Sequence, residues 1–161
     1  PHITIGNRTH DLFPFWLLCR AHYHSGMKSE GLNVLGLPLA ACSTDPMTGF
    51  YRDGRCLVGA EDGGVHGICT ELDDAFLGYT AAQGNELRRP IPAFDFPGLK
   101  AGDRWCVCAW RWLEAFEAGV APPVVLASTH HAALRVVKLR DLIEHAVDPP
   151  ASGLDDGFFG F

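Results

Sequence analysis

The chain has 161 residues, 47% of them hydrophobic and 20% charged, with a formal net charge of −6. That length suits one domain with a buried core, and the balance is that of a soluble globular protein. The negative charge excludes nucleic acid as the expected partner, because phosphate binding needs a basic surface; a local basic cluster can still hold a small anion.

Residues 1–26 carry four of the eight histidines and the apolar run LFPFWLLC. The run contains Pro14, is far too short to cross a bilayer, and lacks a basic leader and a small-residue cleavage pattern. It reads as an extension outside the fold, with no membrane partner. The domain is expected over 27–148, followed by a loose tail over 149–161.

From Gly31 to Val58 the chain is rich in turns. Asp53-Gly54 has the type I′ hairpin signature, flanked by expected short strands at 48–52 and 55–58. Glu61-Asp62-Gly63-Gly64 makes a further turn, and VHGICTEL (residues 65–72) reads as extended. Asp73 is placed to cap a helix over 74–83, with Leu72, Phe76 and Thr80 four apart and Gly84 at its exit. Residues 84–103 contain Pro90, Pro92 and Pro97, so no continuous helix fits there. A loop that long in a compact domain is usually functional or disordered, and Phe94 and Phe96 favour an ordered one.

Residues 104–109 read as a strand and 111–118 as a helix ending at Gly119. Residues 123–128 form an apolar, β-branched strand. Thr129 can cap a turn reaching Leu134, RVVKL gives another strand, and Leu139, Leu142, Ile143 and Ala146 mark a short last helix. The expected fold is α+β (or α/β): a single compact domain in which helices pack on a mixed sheet, preceded by a turn-rich β-hairpin segment.

The stretches NVLGLPLAACSTDPMTGFYRDGRC, GNEL, FPGLKAGDRWCVCAWRWLEA and APPVV followed by TH resemble the family known as domain of unknown function 2237, over about residues 32–146. The resemblance implies a small soluble bacterial protein and supplies no reaction. Arg88 and Arg89 after Glu86, Trp110 before Arg111, and His131 after His130 depart from the family's pattern.

Six cysteines are present. A domain of this size does not need disulfide staples, and Cys106 and Cys108 would share one face of a strand, too close along it to pair. The thiols are therefore expected to be mostly reduced and the compartment cytoplasmic. Buried core packing, a reactive thiol and a metal ligand all remain open for them. No metal is the expectation; if one binds, the set is Cys69, Cys106, Cys108 and His66.

Cys56, Cys69 and Cys108 are the candidate nucleophiles, and His66 and His130 the candidate bases. Cys108 precedes Arg111 at a helix start, and Cys56 sits among Arg52, Asp53 and Arg55. Arg52, Asn85, Arg88, Arg89, Asp103, Arg104 and Arg111 are the candidate ligand-binding set, placing donors around the 84–103 loop where a small carboxylate or phosphate would bind. No phosphate-binding glycine loop, nucleophile elbow or zinc-protease helix motif occurs, and the sequence names no cofactor. Two function classes follow: a ligand or thiol-dependent catalytic pocket under the 84–103 loop, or a non-catalytic assembly module presenting Trp110, Trp112 or the FFGF tail. A zinc-stabilised scaffold is the third.

Overall fold

The computed structural model describes residues 31–151. The amino-terminal extension (1–26) and most of the tail, including FFGF, lie outside the described residues.

Two strands, β1 (Ile68–Glu71) and β2 (Arg104–Val107), pair antiparallel, with Cys69 opposite Cys106 and Thr70 opposite Trp105. Single bridges extend this pair. Val124 joins Thr70 antiparallel and Ala146 in parallel, so the extended sheet is mixed in sense. Among the described residues three α-helices complete an α+β arrangement: α1 (Asp74–Ala82) between the strands, then α2 (Ala109–Glu117) and α3 (Leu139–Glu144) after them.

The local signals explain α1. Asp73 is extended, and its carboxylate accepts the Phe76 N–H at 2.8 Å, satisfying one of the donors a helix start leaves open. Phe76, Leu77 and Thr80 turn inward, and Gly84 leaves the helix with φ +87°. Helix α2 begins two residues before the expected start, with Cys108 at its N-cap and Ala109, Trp112 and Ala115 buried. Trp112 is fully buried, stacks on Phe116, and donates its indole N–H to the Pro122 carbonyl at 3.1 Å. Trp105 is also buried, whereas Trp110 is 56% exposed.

The turn-rich 42–58 segment closes on itself. Cys42 and Ser43 N–H groups both donate to the Gly54 carbonyl, Gly54 N–H donates to Thr48, and Thr44 bridges Met47. The 84–103 segment is an ordered loop. Ile91 bridges Phe96, Leu99 N–H donates to the Leu87 carbonyl, and Phe96 and Leu99 are buried, Phe96 edge-on to Trp105.

Within the hairpin segment, residues 49–55 form turns and bends, and neither 48–52 nor 55–58 makes the expected short strand. Two later expected strands do not form either. Residues 123–128 make one bridge pair at Val124 and then tighten into a 3-10 turn, Leu126–Ser128, because the Asp148 carboxylate accepts the Leu126 and Ala127 N–H groups. RVVKL instead closes a 3-10 helix, His131–Arg135, and leads into α3. The cap of that turn is His130 rather than Thr129: its Nδ1 accepts the Ala132 N–H at 3.1 Å. The Thr129 hydroxyl is used elsewhere, accepting from Cys69 N–H and donating to the Val125 carbonyl.

The hydrophobic core has two parts. The larger gathers Phe76, Leu77, Trp105, Trp112, Leu126 and Leu142 with their neighbours; the smaller consists of Cys42, Cys56, Cys69, Cys106 and Val125.

Candidate functional site

The loop 59–67 and the start of α2 meet at one place. Asp62 sits in a turn in which its N–H donates to Gly59 and its carbonyl accepts from Val65. Its side chain is fully buried. One carboxylate oxygen accepts the His66 backbone N–H at 2.8 Å, and the other lies 2.6 Å from His66 Nδ1. Both contacts fix one ring orientation and place the proton of neutral His66 on Nδ1, leaving Nε2 as the free ring nitrogen. The imidazole itself is about one-quarter exposed, at 24%.

Between Asp62 and His66 the backbone is held in an uncommon shape. Val65 has φ +52°, a region that β-branched residues rarely enter. Its carbonyl accepts the Ala109 N–H at 2.9 Å, tying the loop to the first residue of α2. Cys108 is thereby set against the loop, and its thiol donates to the Gly64 carbonyl at 2.8 Å. The side-chain space of Gly64 is already taken: a Cβ there would stand 2.6 Å from His66 Cε1 and 3.4 Å from Cys108 Sγ. Imidazole and thiol therefore border the same small volume, and a glycine keeps it open.

Cys108 is the free thiol among the described residues, and it is half-buried. Burial pushes its pKa up, opposed by the N–H groups of Arg111 and Trp110 at the α2 start. Phe50 lies tilted over His66, 5.9 Å between ring centres.

The other candidate nucleophiles are corrected by the structure. Cys69 is bonded to Cys42 and Cys56 to Cys106, so neither carries a free thiol. The expectation of mostly reduced thiols fails for four of the cysteines, and the inference from reduced thiols to a cytoplasmic location loses its basis. The pairing depends on contacts between residues 27 and 50 positions apart, which strand register creates and spacing does not reveal. The expected metal set also dissolves. Cys106 and Cys108 do not share a strand face, since β2 ends at Val107 and Cys108 caps a helix. The sulfurs of Cys42, Cys56 and Cys106 instead lie within 4.8 Å of one another. Among the described residues no helix is long and apolar enough to cross a membrane.

His130 lies away from this constellation in its role: it is buried, caps the 131–135 turn and tilts against His131 at 4.4 Å. Its pKa is pushed down to about 4, first by burial and then by His131 and Arg135. The ligand-binding candidates are mostly engaged within the fold. Arg88 pairs with Asp74, Arg104 with Glu71, and Arg111 with Glu114. Arg52 donates to the Gly49 carbonyl and lies over the Trp105 ring at 5.0 Å. Asn85 donates to Thr80, Asp103 accepts from Lys100 N–H, and Arg89 is exposed.

Sequence reading took Asp62 for a turn former and left Cys42 outside every candidate set. The signal for Asp62 was available in its spacing, four residues before His66; nothing local marks Cys42.

A family model described as "Uncharacterized protein conserved in bacteria (DUF2237)" matches residues 32–146. Both the Asp62–His66–Cys108 group and the four disulfide cysteines fall inside that match. No curated protein matches the chain.

Proposed function

The chain belongs to this bacterial family, whose description names no reaction, and from the geometry above we propose a thiol-dependent enzyme in which Cys108 is the nucleophile, His66 its base and Asp62 the residue that orients the base. One observation carries the reading. A fully buried carboxylate holds an imidazole, and that imidazole shares the Gly64 space with a free thiol at a helix start.

Each part has a chemical task. In the resting arrangement the Cys108 proton is donated to the Gly64 carbonyl. On reaction the thiol turns toward the imidazole, the proton passes to His66 Nε2, and the sulfur attacks the acyl carbon of an ester or thioester. The ester C–O or thioester C–S bond then breaks, and the alcohol or thiol leaves with the proton from His66. Water activated by the same imidazole later hydrolyses the acyl-Cys108 to the acid and the free thiol. Asp62 keeps Nδ1 protonated and stabilises the imidazolium that forms, as the third member of a triad does. Negative charge developing on a substrate oxygen would meet the Trp110 and Arg111 N–H groups of α2. Phe50 beside the His66 ring and exposed Trp110, two residues after Cys108, offer flat apolar surface, which suits a small ester or thioester with an apolar part.

An anion-binding pocket under the 84–103 loop has less support, because Arg88, Arg104 and Arg111 already pair with carboxylates. Acyl transfer from p-nitrophenyl acetate tests the thiol reading, with the acylated residue located by peptide mass mapping. Cys108 should be acylated, and His66→Gln should slow this by about 100-fold, the low end of general-base contributions. Equal rates in the two proteins would refute it. No acylation of Cys108 would leave the assembly-module reading.

A further inference from the structure

The second, smaller core is unusual in being built from sulfur. Cys42, Cys56, Cys69 and Cys106 are each at most 6% exposed and pack together with Val125. The pairing of β1 with β2 puts Cys69 directly opposite Cys106. The 42–56 hairpin segment folds over them and delivers Cys42 and Cys56, with the Thr48 hydroxyl accepting the Cys106 N–H at 2.9 Å. Three sulfurs lie within 4.8 Å of one another, and the fourth is bonded to one of the three. Two disulfides thus lie side by side in one buried cluster, with three of the four sulfurs mutually close and the fourth attached to one of them.

We propose that this cluster is a redox-gated metal site: with both disulfides reduced, the four thiolates bind one zinc-class divalent cation. A tetrahedral zinc–thiolate centre has metal–sulfur distances of about 2.3 Å, hence sulfurs a little under 4 Å apart. Opening the two bonds frees each bonded pair to separate to that spacing, and rotation about the cysteine χ1 angles can bring the remaining sulfurs, Cys69 included, toward the shared centre. The chemistry balances with a dithiol reductant. Each disulfide takes two electrons and two protons from one dithiol, which leaves as its own cyclic disulfide. The four thiols then lose four protons to solvent as the cation binds, giving a centre of net charge −2. The reverse exchange uses two equivalents of the cyclic disulfide as oxidant. Each takes two electrons from one cysteine pair and two protons from solvent to become the dithiol again, which re-forms Cys42–Cys69 and Cys56–Cys106 and releases the cation. The site is separate from the Cys108 group and stands or falls independently of it.

Cobalt(II) titration is the test, on the full chain carrying Cys19→Ser and Cys108→Ser so that the four clustered cysteines are the only thiols. After reduction by a dithiol and its removal without oxygen, one equivalent of cobalt should bind with thiolate-to-metal charge transfer and tetrahedral ligand-field absorption. Zinc should displace it and shield the four thiols from alkylation. The oxidised protein should show neither band. Histidine binding elsewhere gives no sulfur charge transfer, so it cannot mimic the result. If the reduced protein keeps its helical circular dichroism but shows no sulfur-to-cobalt band, the proposal is overturned. If it loses that signal and cobalt does not restore it with the band, the proposal is equally overturned. Cys56→Ser adds a second check, because retention of the same spectrum would rule out the four-sulfur set.

Discussion

Removing the Cys56–Cys106 bond perturbs the fold in a way the structure lets one calculate. The bond closes a loop of 50 residues. In the chain-entropy account, closure takes about 14 cal/mol/K from the unfolded chain, or about 4 kcal/mol at 25 °C. The Cys42–Cys69 bond closes 27 residues, and the same expression gives about 3.5 kcal/mol. The two loops interlace, since 56 lies between 42 and 69, so losing both should cost less than the sum. The assay is urea unfolding followed by tryptophan fluorescence, with chelator present to exclude metal and Cys19→Ser as background. Cys56→Ala/Cys106→Ala should lower the midpoint by about 2 M at a slope of about 2 kcal/mol/M. In the same background, thiol titration of the unfolded chain should find one thiol before reduction and five after. A midpoint shift equivalent to under about 1 kcal/mol, together with five thiols before reduction, would refute the reasoning.

Three further outcomes follow from single contacts. Gly64→Ala should cost about 1–3 kcal/mol, because its methyl would stand 2.6 Å from His66 Cε1 and push aside a ring that buried Asp62 holds. Cys108 acylation should then fall by about tenfold or more, since such misplacement is costly to catalysis. His130 is neutral in the fold down to about pH 4, whereas an unfolded histidine takes a proton near 6.5. Its contribution is therefore complete above about pH 6.5 and lost as the pH falls toward 4, a slope of at most about 1.4 kcal/mol per unit and roughly 3 kcal/mol in all. Unfolding at stepped pH should show that decline in the wild type and not in His130→Asn, which keeps a cap acceptor and does not titrate. Trp112→Ala should cost about 3–5 kcal/mol by leaving a cavity in the main core, read as a lower urea midpoint.

The sequence by itself determined whatever depends on neighbours within one turn of chain. Asp73 caps α1 because its carboxylate reaches a donor three residues on, and the apolar spacing of α2 is visible in RWLEAF. Turn chemistry at 53–54 and 61–64 and the proline-broken loop at 84–103 were legible for the same reason: each is set by local dihedral preference. Strand identity was not. Residues 123–128 and RVVKL have the composition of strands, yet a strand exists only where a partner satisfies its backbone, and here Asp148 and the 131–135 turn took those groups instead. The site was half legible in the same sense. Cys108 and His66 could be nominated by residue type, but they lie 42 positions apart and meet only because the Val65 carbonyl binds the start of α2. Disulfide pairing went furthest from sequence, since four cysteines spread over residues 42–106 come into one cluster only through the register of β1 on β2 and the hairpin folded across them.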